Sequence, residues 1–507
     1  MANAVPAFLD EHVAIGDGER PALVTAAGAL SYADVLGLVN RTGRALREAG
    51  IEAEQRVAML LPDGLAWVAV FFGALRIGAV AVPLNTRLAP DVCAELLRDS
   101  RARVLVADPA LRRALGSRLA DLPHLRLVIE AGAGAAAPSL EDRQAACRLD
   151  LEPEAVSGDD MAFWLYTSGT TGLPKAAVHL HRDLLACRHY GLDVLGAGAG
   201  DRVLATSKLF FAYALGNALL VPLFVGARTF LEPRWAEPGA IAETVRAFRP
   251  TLFFSVPTFY ARLLRAALPR ELFGSVRLCV SAGERLPPDL YREWRERFGV
   301  EILDGLGATE TIFMVLSNRP GASAAGATGL PVPGTEARLL DGDGREVPDG
   351  VPGVLHVKTP SASPGYWNRL EQSRRTFIGE WFRTGDVLTR DASGVFRHAG
   401  REDDFFKVAG MWVTPADVEA VLLSHPGVAE AGVVGAEDAA GLVKPFAFVV
   451  PGNGARADVL MAELNALAAE RLAAHQRPRR ITFVDALPRT ATGKLQRFAL
   501  KAQAEPR

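Results

Sequence analysis

The sequence predicts an α/β protein with a large N-terminal domain of mostly parallel αβ subdomains, a small β-rich subdomain and an α+β C-terminal domain. Three observations support this prediction. Helical patterns alternate with short apolar runs over the first 150 residues and again over residues 161–290. Residues 326–400 carry short strand patterns separated by turn signals, and an αβ pattern returns after residue 404. Such alternation is typical of βαβ units built around a parallel sheet.

The N-terminal alternation can be followed element by element. The stretch ALSYADVLGLVNRTGRALREAG has helical periodicity, while RVAMLLP and ARVLVAD are apolar runs of strand length. The most apolar window, residues 66–84, has Arg76 at its centre, so it is interpreted as a buried helix followed by a core strand rather than as a membrane span. Residues 130–146 are rich in Ala and Gly and predict a surface loop or a subdomain joint.

The later elements set the predicted domain boundaries. A strand (FWLYTS), a Gly-rich loop and a helix from about Arg182 precede three further strands, DRVLATS, TLFFSVP and VRLCVSAG. The turn signals DGDG, PDGVPG and DASG mark the β-rich segment. We therefore predict an N-terminal domain over residues 1–403, which includes the β-rich subdomain at about 326–400, and a C-terminal domain over residues 405–507.

The composition excludes several classes of protein. The 507 residues are 49% hydrophobic and 22% charged, as in an ordinary globular protein and unlike a disordered one. A formal net charge of −2 gives no electrostatic signature of a nucleic-acid binder. The four cysteines lack paired spacing, which argues against a zinc site and favours a reducing compartment. With no signal-peptide pattern at the N-terminus, we expect a cytoplasmic protein with neither a membrane nor a nucleic-acid partner, as a monomer or a homodimer.

Lysine is scarce in this chain. Only seven of the 56 basic residues are lysine. Lysine is a compact point charge on a flexible stem, whereas arginine is a planar fork, so the two are not equivalent at a functional site. This bias gives modest support to functional roles for Lys175, Lys407 and Lys494.

The strongest local motif is Tyr166-Thr-Ser-Gly-Thr-Thr-Gly-Leu-Pro-Lys175, which directly follows an apolar strand. Hydroxyl residues and glycines in a tight loop offer backbone N–H groups and side-chain donors to a polyphosphate. The loop is not a Walker A motif, because that motif ends in Gly-Lys-Ser/Thr and here Ala176 follows the lysine. The candidate nucleotide-binding residues are Thr167, Ser168, Gly169, Thr170, Thr171, Gly172 and Lys175.

This loop resembles the phosphate loop of the adenylate-forming superfamily, which comprises acyl-CoA synthetases, peptide-synthetase adenylation domains and luciferases. Further segments resemble that superfamily's adenine, ribose, hinge and C-terminal lysine motifs, in the family order. They are Asp304-Gly-Leu-Gly-Ala-Thr-Glu310, Trp381-Phe-Arg-Thr-Gly-Asp386, Gly400-Arg-Glu-Asp-Asp404 and Leu487-Pro-Arg-Thr-Ala-Thr-Gly-Lys494. Because the five motifs keep their order over nearly the whole chain, the sequence is identified as a member of this superfamily.

The resemblance implies a two-step reaction that uses ATP, Mg²⁺ and coenzyme A. A carboxylate attacks the ATP α-phosphate to give an acyl-adenylate and pyrophosphate, and a thiol then displaces AMP. Lys494 would bridge the carboxylate and the α-phosphate, Thr309 would hydrogen-bond the α-phosphate, and Glu310 would bind Mg²⁺. Asp386 would accept both ribose hydroxyls, with Arg401 as a second ribose contact.

The adenine slot and the hinge are implied in the same way. Leu306 stands where many members carry an aromatic residue, so aliphatic packing would replace ring stacking on adenine. Asp404 aligns with a hinge about which a mobile C-terminal domain rotates between the half-reactions, and Lys407 and Gly410 would border the thiol tunnel. The residues expected around adenine are Ala282, Gly283, Glu284, Asp304, Gly305 and Leu306.

The substrate class follows from a narrower resemblance. The segment Ser207-Lys-Leu-Phe-Phe-Ala-Tyr-Ala-Leu-Gly-Asn217 is similar to the corresponding string of benzoate-CoA ligases. Two positions of the pocket floor differ, because Phe313 and Met314 stand where those ligases typically have His and Ile. A flat apolar slot suits a planar aromatic acid. The expected substrate-binding residues are Phe211, Ala212, Tyr213, Phe313 and Met314.

Three functions are compatible with these patterns. The leading hypothesis is an ATP-dependent aryl-CoA ligase. A stand-alone adenylation enzyme that loads a carrier-protein thiol shares the first half-reaction, although the 507 residues contain no carrier motif. A nucleotide-sensing or scaffold protein with an inactive site is disfavoured, because Lys494, Glu310 and Asp386 are all present.

Overall fold

Two compact units make up the chain. The computed structural model describes residues 3–167, 174–409, 411–438, 441–452, 456–489 and 495–504. One unit comprises Met1–Ala337 and Val357–Arg383, and the other comprises Arg338–His356 and Thr384–Arg507. This division does not follow the predicted boundary at residue 404, which stays a prediction, as does the β-rich subdomain.

The strands are short, and most of them lie in the first unit. In chain order they are β1 Pro21–Thr25, β2 Gly28–Ser31, β3 Arg56–Leu60, β4 Val80–Pro83, β5 Val104–Ala107, β6 Leu127–Glu130, β7 Met161–Thr167, β8 Lys175–Leu180, β9 Arg202–Ala205, β10 Arg228–Phe230, β11 Leu252–Ser255, β12 Leu278–Ser281, β13 Ile302–Gly307, β14 Met314–Ser317, β15 Leu330–Pro331, β16 Glu336–Leu340, β17 Gly353–Lys358, β18 Phe377–Ile378, β19 Trp381–Arg390, β20 Phe396–Arg401, β21 Phe406–Val408, β22 Met411–Val413, β23 Val428–Glu437, β24 Val443–Pro451 and β25 Arg480–Phe483.

Helices connect these strands. They are α1 Asp10–Ala14, α2 Tyr32–Glu48, α3 Leu65–Arg76, α4 Pro90–Ser100, α5 Pro109–Leu115, α6 Leu140–Ala146, α7 His181–Leu184, α8 Cys187–Gly191, α9 Ala212–Ala214, α10 Val221–Phe224, α11 Pro238–Phe248, α12 Pro257–Arg265, α13 Pro288–Phe298, α14 Leu370–Thr376, α15 Pro415–Leu423, α16 Ala457–Arg471 and α17 Arg497–Ala504. A π-helical turn at Leu215–Leu220 and short 3₁₀ turns, among them Thr309–Thr311 and Glu402–Asp404, complete the described helical segments.

Two large sheets organise the first unit. One has the order β6-β5-β3-β4-β7-β8, parallel except for the last pair. The other has the order β15-β14-β13-β12-β11-β9-β10-β1-β2, with a parallel centre from β13 to β1 and antiparallel edges. The mostly parallel α/β architecture is confirmed. The carboxyl ends of parallel strands lie at one edge of a sheet, where ligands bind in such folds.

The apolar window at residues 66–84 folds as predicted, into α3 and β4. Arg76 in this window is only 3% exposed. Its guanidinium donates to both Asp10 carboxylate oxygens, at 2.8 and 2.9 Å, and to the Leu151 carbonyl at 2.9 Å. A bidentate partner and a carbonyl therefore offset the cost of burying this charge. Among the described residues, no helix has both the length and the apolar character that a membrane span requires.

The predicted loop at residues 130–146 is partly wrong, because its second half forms α6. Ser139 caps this helix: its hydroxyl accepts from the Asp142 backbone N–H at 3.1 Å. The Asp142 carboxylate accepts from the Ser139 N–H in return, at 2.9 Å. This capping box fixes the helix start, and the Leu, Glu, Gln and Ala residues of α6 favour the helix that follows.

The second unit contains the sheet β23-β24-β25 and the helices α15, α16 and α17. Strands β16 to β20 form a further sheet in the order β16-β17-β19-β18, with β20 on β19, and the division between the units falls within its strands. All four cysteines of the chain are buried, as separate thiols: Cys93, Cys147, Cys187 and Cys279.

Candidate active site

The predicted phosphate loop connects two antiparallel strands. Thr167 ends β7 and Lys175 begins β8, and the two residues face each other in register. The Lys175 ammonium lies 3.9 Å from the centroid of the Tyr366 ring, a cation–π contact. The intervening candidates Ser168, Gly169, Thr170, Thr171 and Gly172 lie outside the described residues. The structure therefore places the two ends of the loop beside each other.

The adenine motif lies at the carboxyl edge of the nine-stranded sheet. Asp304, on β13, pairs in register with Ser281, the last residue of the neighbouring parallel strand β12. Ala282 and Gly283 follow directly, and Gly283 has φ +86°, a conformation that favours glycine. The two segments predicted to surround adenine are therefore adjacent in space.

Two polar groups in these segments, the Glu284 carboxylate and the Asp304 backbone carbonyl, have protein partners. The Glu284 carboxylate accepts from the Thr258 hydroxyl at 2.5 Å and from its backbone N–H at 3.2 Å. The Asp304 carbonyl accepts from the Asn318 backbone N–H and side-chain amide, at 2.9 and 3.0 Å. Burial raises the pKa of the Asp304 carboxyl well above its ordinary value.

The glycines of the adenine motif have a packing role. A Cβ at Gly305 would lie 2.8 Å from the Leu316 carbonyl oxygen, and one at Gly307 would lie 2.7 Å from the Phe313 carbonyl oxygen. Strand β14 approaches β13 too closely for a side chain at either position. Between them, Leu306 is half-buried, and its contact with adenine stays a prediction.

The turn at Thr309–Thr311 is held through each of its three carbonyl groups. The His179 ring donates from Nε2 to the Thr309 carbonyl at 2.9 Å. The Ser363 N–H donates to the Glu310 carbonyl at 2.8 Å, and the Ser361 hydroxyl donates to the Thr311 carbonyl at 2.6 Å. The next residue, Ile312, has φ +59°, a strained value for a β-branched side chain. Hydrogen bonds from several neighbouring segments therefore hold this turn in its strained conformation.

The Glu310 carboxylate fits a magnesium ligand. It is 8% exposed, and its Oε1 accepts from the Tyr366 hydroxyl at 2.6 Å. Its Oε2 accepts no hydrogen bond from any residue that the structure describes. Mg²⁺ is usually bound by one or two carboxylates together with substrate phosphates and water. Over the described ranges, no group of three or more His, Cys, Asp or Glu side chains could hold a metal ion, so a Mg²⁺ on Glu310 would need phosphate and water oxygens as further ligands.

Two histidines near the phosphate loop have different surroundings. His179 stacks on Phe163 at 4.9 Å between ring centroids, and its Nδ1 lies 3.3 Å from the Asp183 carboxylate. His181 Nδ1 instead accepts from the Ala4 N–H at 3.2 Å, and burial lowers the pKa of His181 to about 4. Of the two, only His179 contacts the turn at Thr309–Thr311, called the nucleotide turn below, and this contact was not predicted from the sequence.

The predicted acid pocket adjoins the same turn. Phe313 and Met314, which follow it directly, are 3% and 4% exposed. A Cβ at Gly216 would lie 3.0 Å from Phe313 Cδ1, so the segment of the chain that carries Ala212 and Tyr213 packs against Phe313. The Tyr213 hydroxyl lies 3.0 Å from the Ser255 carbonyl oxygen and 2.9 Å from that of Val280. The single O–H hydrogen can be donated to either carbonyl, so the donor of Tyr213 is engaged by the protein backbone. Phe211, the remaining pocket residue predicted, contacts Phe210 edge to face at 4.6 Å.

The predicted ribose pair lies in the second unit. Asp386 on β19 and Arg401 on β20 face each other in register, and Arg401 donates to the Asp386 carboxylate at 3.0 Å. His398 Nε2 lies 3.1 Å from the other carboxylate oxygen. The sequence motifs did not indicate His398, since its partner is twelve residues away on the adjacent strand.

The predicted hinge residue is also held by an ion pair. Asp404 accepts from Arg497 Nε at 3.0 Å, and the same guanidinium donates to the Glu419 carboxylate at 3.1 Å and to the Val433 carbonyl at 2.7 Å. Burial raises the pKa of the Asp404 carboxyl. Lys407 is exposed on β21, whereas Gly410 and Lys494 lie outside the described residues.

Comparisons with known proteins match nearly the whole chain. The family model of the AMP-binding enzymes matches residues 10–367, and that of the AMP-binding enzyme C-terminal domain matches residues 417–494. A 4-hydroxybenzoate–CoA/benzoate–CoA ligase of Rhodopseudomonas palustris is 42% identical over 98% of this chain and 94% of its own.

Two solved structures are similar throughout. The crystal structure of an anthranilate CoA ligase in complex with anthranoyl-AMP has a TM-score of 0.93 and 38% identity, covering 99% of this chain and 97% of that one. A benzoate CoA ligase from Burkholderia xenovorans LB400 has a TM-score of 0.91 and 40% identity, covering 98% of this chain and 99% of that one.

Proposed function

The chain belongs to the AMP-binding enzyme family, and from this premise we propose that it is an ATP-dependent aryl-CoA ligase acting on a benzoate-like acid. One observation carries the proposal. A single segment, residues 304–314, supplies the adenine motif, the turn with Glu310 and the apolar floor at Phe313 and Met314. The nucleotide and the acid would therefore meet at Thr309–Thr311.

The reaction proposed for this site has two steps. A carboxylate oxygen of the acid attacks the ATP α-phosphorus, the bond to the β-phosphate oxygen breaks, and pyrophosphate leaves. The thiolate sulfur of CoA then attacks the acyl carbon, and the acyl–oxygen bond breaks to release AMP. Negative charge develops at the α-phosphate in the first step and is best stabilised by fixed donors and cations.

We assign this stabilisation to residues of the chain. Lys494 would donate to the carboxylate and the α-phosphate, and the Thr309 hydroxyl would hydrogen-bond the same phosphate. Glu310 would hold Mg²⁺, which when bound neutralises charge on the phosphates. The Asp386 carboxylate would accept from the ribose hydroxyls, with Arg401 beside it. The assignment is supported for three of these residues, because hydrogen bonds described above hold them in place: Thr309, Glu310 and Asp386.

The pocket supports a planar, weakly polar acid. Its predicted floor is formed by a phenyl ring and a thioether, and the Tyr213 hydroxyl donates its hydrogen to backbone carbonyl oxygens. Ring faces can pack against Tyr213 and Phe313, as aromatic side chains commonly do. We therefore propose benzoate, or benzoate with a small ortho or meta group, as the substrate class.

A panel of aromatic acids tests the proposal. AMP and thioester release are measured for each acid with ATP and Mg²⁺, with and without free CoA. We expect benzoate-like acids to give an acyl-CoA product and CoA to accelerate AMP release. Aryl-adenylate formation without transfer to free CoA would instead support loading of a carrier-protein thiol. Failure of every aromatic acid, with turnover of aliphatic acids, would contradict the proposal.

A further inference from the structure

A short segment, residues 361–367, links the nucleotide turn to the strand that leaves the phosphate loop. On one side it bonds the Thr309–Thr311 turn through Ser361 and Ser363. On the other side it pairs with β8: the Val178 N–H donates to the Gly365 carbonyl at 3.1 Å, and the Trp367 N–H donates to the Ala176 carbonyl at 3.0 Å. These bonds hold the segment between two predicted ATP-binding elements.

Tyr366 is the side chain in this segment that contacts both elements. Its hydroxyl donates to Glu310 Oε1 at 2.6 Å, while its ring lies 3.9 Å from the Lys175 ammonium. The ring also packs on Phe377 at 5.3 Å between centroids, and the residue is 6% exposed. A buried phenol that contacts an ammonium and a second ring has little freedom to turn away from the carboxylate.

The hydrogen bond from Tyr366 to Glu310 is suited to holding a metal-binding carboxylate in place. A hydrogen bond to a carboxylate is among the stronger ones available to a neutral donor. It occupies one oxygen of Glu310 and fixes the plane of the carboxylate, while adding no charge that would compete with a cation. The nearby ammonium polarises the ring and strengthens the hydroxyl as a donor.

We propose that Tyr366 is a positioning residue for Glu310. It keeps one carboxylate oxygen engaged and holds the other ready for the Mg²⁺ that accompanies ATP. This inference rests on the proposed function for the identity of the nucleotide and the metal. It goes beyond that function in assigning a supporting role to a residue outside the sequence motifs.

The variant Tyr366→Phe tests the assignment, because it keeps the ring and removes only the hydroxyl. Binding of a non-hydrolysable ATP analogue is measured by calorimetry with Mg²⁺ and with a chelator, at a temperature where circular dichroism shows wild type and variant both folded. Loss of a hydrogen bond to a charged group corresponds to about tenfold in affinity. We expect the Mg²⁺-dependent gain in affinity to fall about tenfold, with binding in the chelator unchanged.

Tyr291→Phe is the matched control. Tyr291, on α13, is also buried and shares a hydrogen bond of 2.8 Å with the Ser323 hydroxyl, away from the nucleotide turn. Its Mg²⁺-dependent gain should equal that of wild type. The inference would be overturned if Tyr366→Phe lost affinity equally with and without Mg²⁺, or if its Mg²⁺-dependent gain in affinity equalled that of wild type. It would also be overturned if Mg²⁺ did not change the affinity of wild type for the nucleotide. If no aromatic acid were converted, only the proposed function would be contradicted. The role of Tyr366 would still be testable, because nucleotide binding is measured without an acid.

Discussion

The nucleotide turn and the acid pocket are neighbours in the chain but are built in different ways. In the turn at Thr309–Thr311, every carbonyl accepts a hydrogen bond from another segment, and His179 and Tyr366 reach it from far away in the sequence. In the pocket, Phe313 is apolar, and the polar end of Tyr213 is bonded to the protein backbone. Under the proposed function, directional bonds would fix the chemistry that every acid shares, and the shape of the pocket would distinguish one acid from another. Substitutions in the nucleotide turn should lower the reaction rate by the same factor for every acid. Substitutions in the pocket should change the order in which the enzyme prefers the acids.

The largest effect should come from Lys494→Ala. Removing a group that stabilises charge on the transferring phosphate typically costs about 10²–10³-fold in rate. Acyl-adenylate formation should fall by this factor for every acid, while thioester formation from a pre-formed adenylate should be largely retained. Pyrophosphate exchange and single-turnover thiolation measure the two steps separately. Equal loss of both half-reactions, or a loss that varies with the acid, would contradict the assignment.

Asp404→Pro should affect the second half-reaction instead. Proline fixes φ, so it should impede a rotation that requires the φ of this residue to change. Adenylation should persist while thioester formation fails, for all acids alike. The control is Asp404→Ala, which also removes the ion pair with Arg497 but leaves the backbone free. If the proline variant forms thioester at the wild-type rate, then the hinge lies elsewhere or no rotation is needed.

On the pocket side, wild type should prefer benzoate to 4-hydroxybenzoate. A buried para-hydroxyl facing Phe313 and Met314 would lose its water without a replacement, at about 1–3 kcal/mol, or roughly tenfold or more in kcat/KM. Phe313→His should narrow this ratio by supplying a polar partner, with the KM for ATP unchanged. The ratio of kcat/KM for the two acids is the measurement. A wild-type preference for 4-hydroxybenzoate would mean that Phe313 and Met314 do not form the pocket floor.

The smallest effect is expected from Gly216→Ala. The new Cβ would lie 3.0–3.1 Å from the Phe313 ring, so the ring must shift by a few tenths of an ångström. Since overpacking costs about 1–3 kcal/mol when fully resisted, we expect a rise of roughly threefold to tenfold in the KM for benzoate and none for ATP. Gly239→Ala, on α11, has open space around the added methyl and is the control. An equal rise in the KM for ATP would show that a change in the acid pocket also alters nucleotide binding at the turn, which would contradict the prediction.

The fold could be predicted largely because its signals are local. Alternating helical and strand patterns gave α2, α3, β3 and β4 close to their observed limits. Helix α6 was missed because its Ala- and Gly-rich surroundings resemble a loop, and the signal that reveals it is the pair Ser139 and Asp142. The division into units differs from the predicted boundary, since compactness depends on contacts between distant segments.

For the site, the motifs indicated the groups expected to touch ligand but not their supports. Thr309 and Glu310 lie within a recognisable string, whereas His179 and Tyr366 are 130 and 56 residues from the groups they bond. The spacing of residues in the sequence cannot predict these hydrogen bonds. They form only when the fold brings β8 and residues 361–367 beside the turn. Gly305 and Gly307 show a second limit, since their motif does not reveal the close approach of the Leu316 and Phe313 carbonyl oxygens, which leaves no room for a Cβ at either position.

The burial of the cysteines makes the chain convenient for site-specific labelling. Maleimide and iodoacetamide dyes react with thiolates, and burial both hides the four native thiols and raises the pKa of each. One cysteine introduced on the surface of each compact unit would therefore take up dye in preference to the native four. A donor–acceptor pair placed in this way would report the distance between the units in real time, as ATP, an aromatic acid and CoA are added in turn.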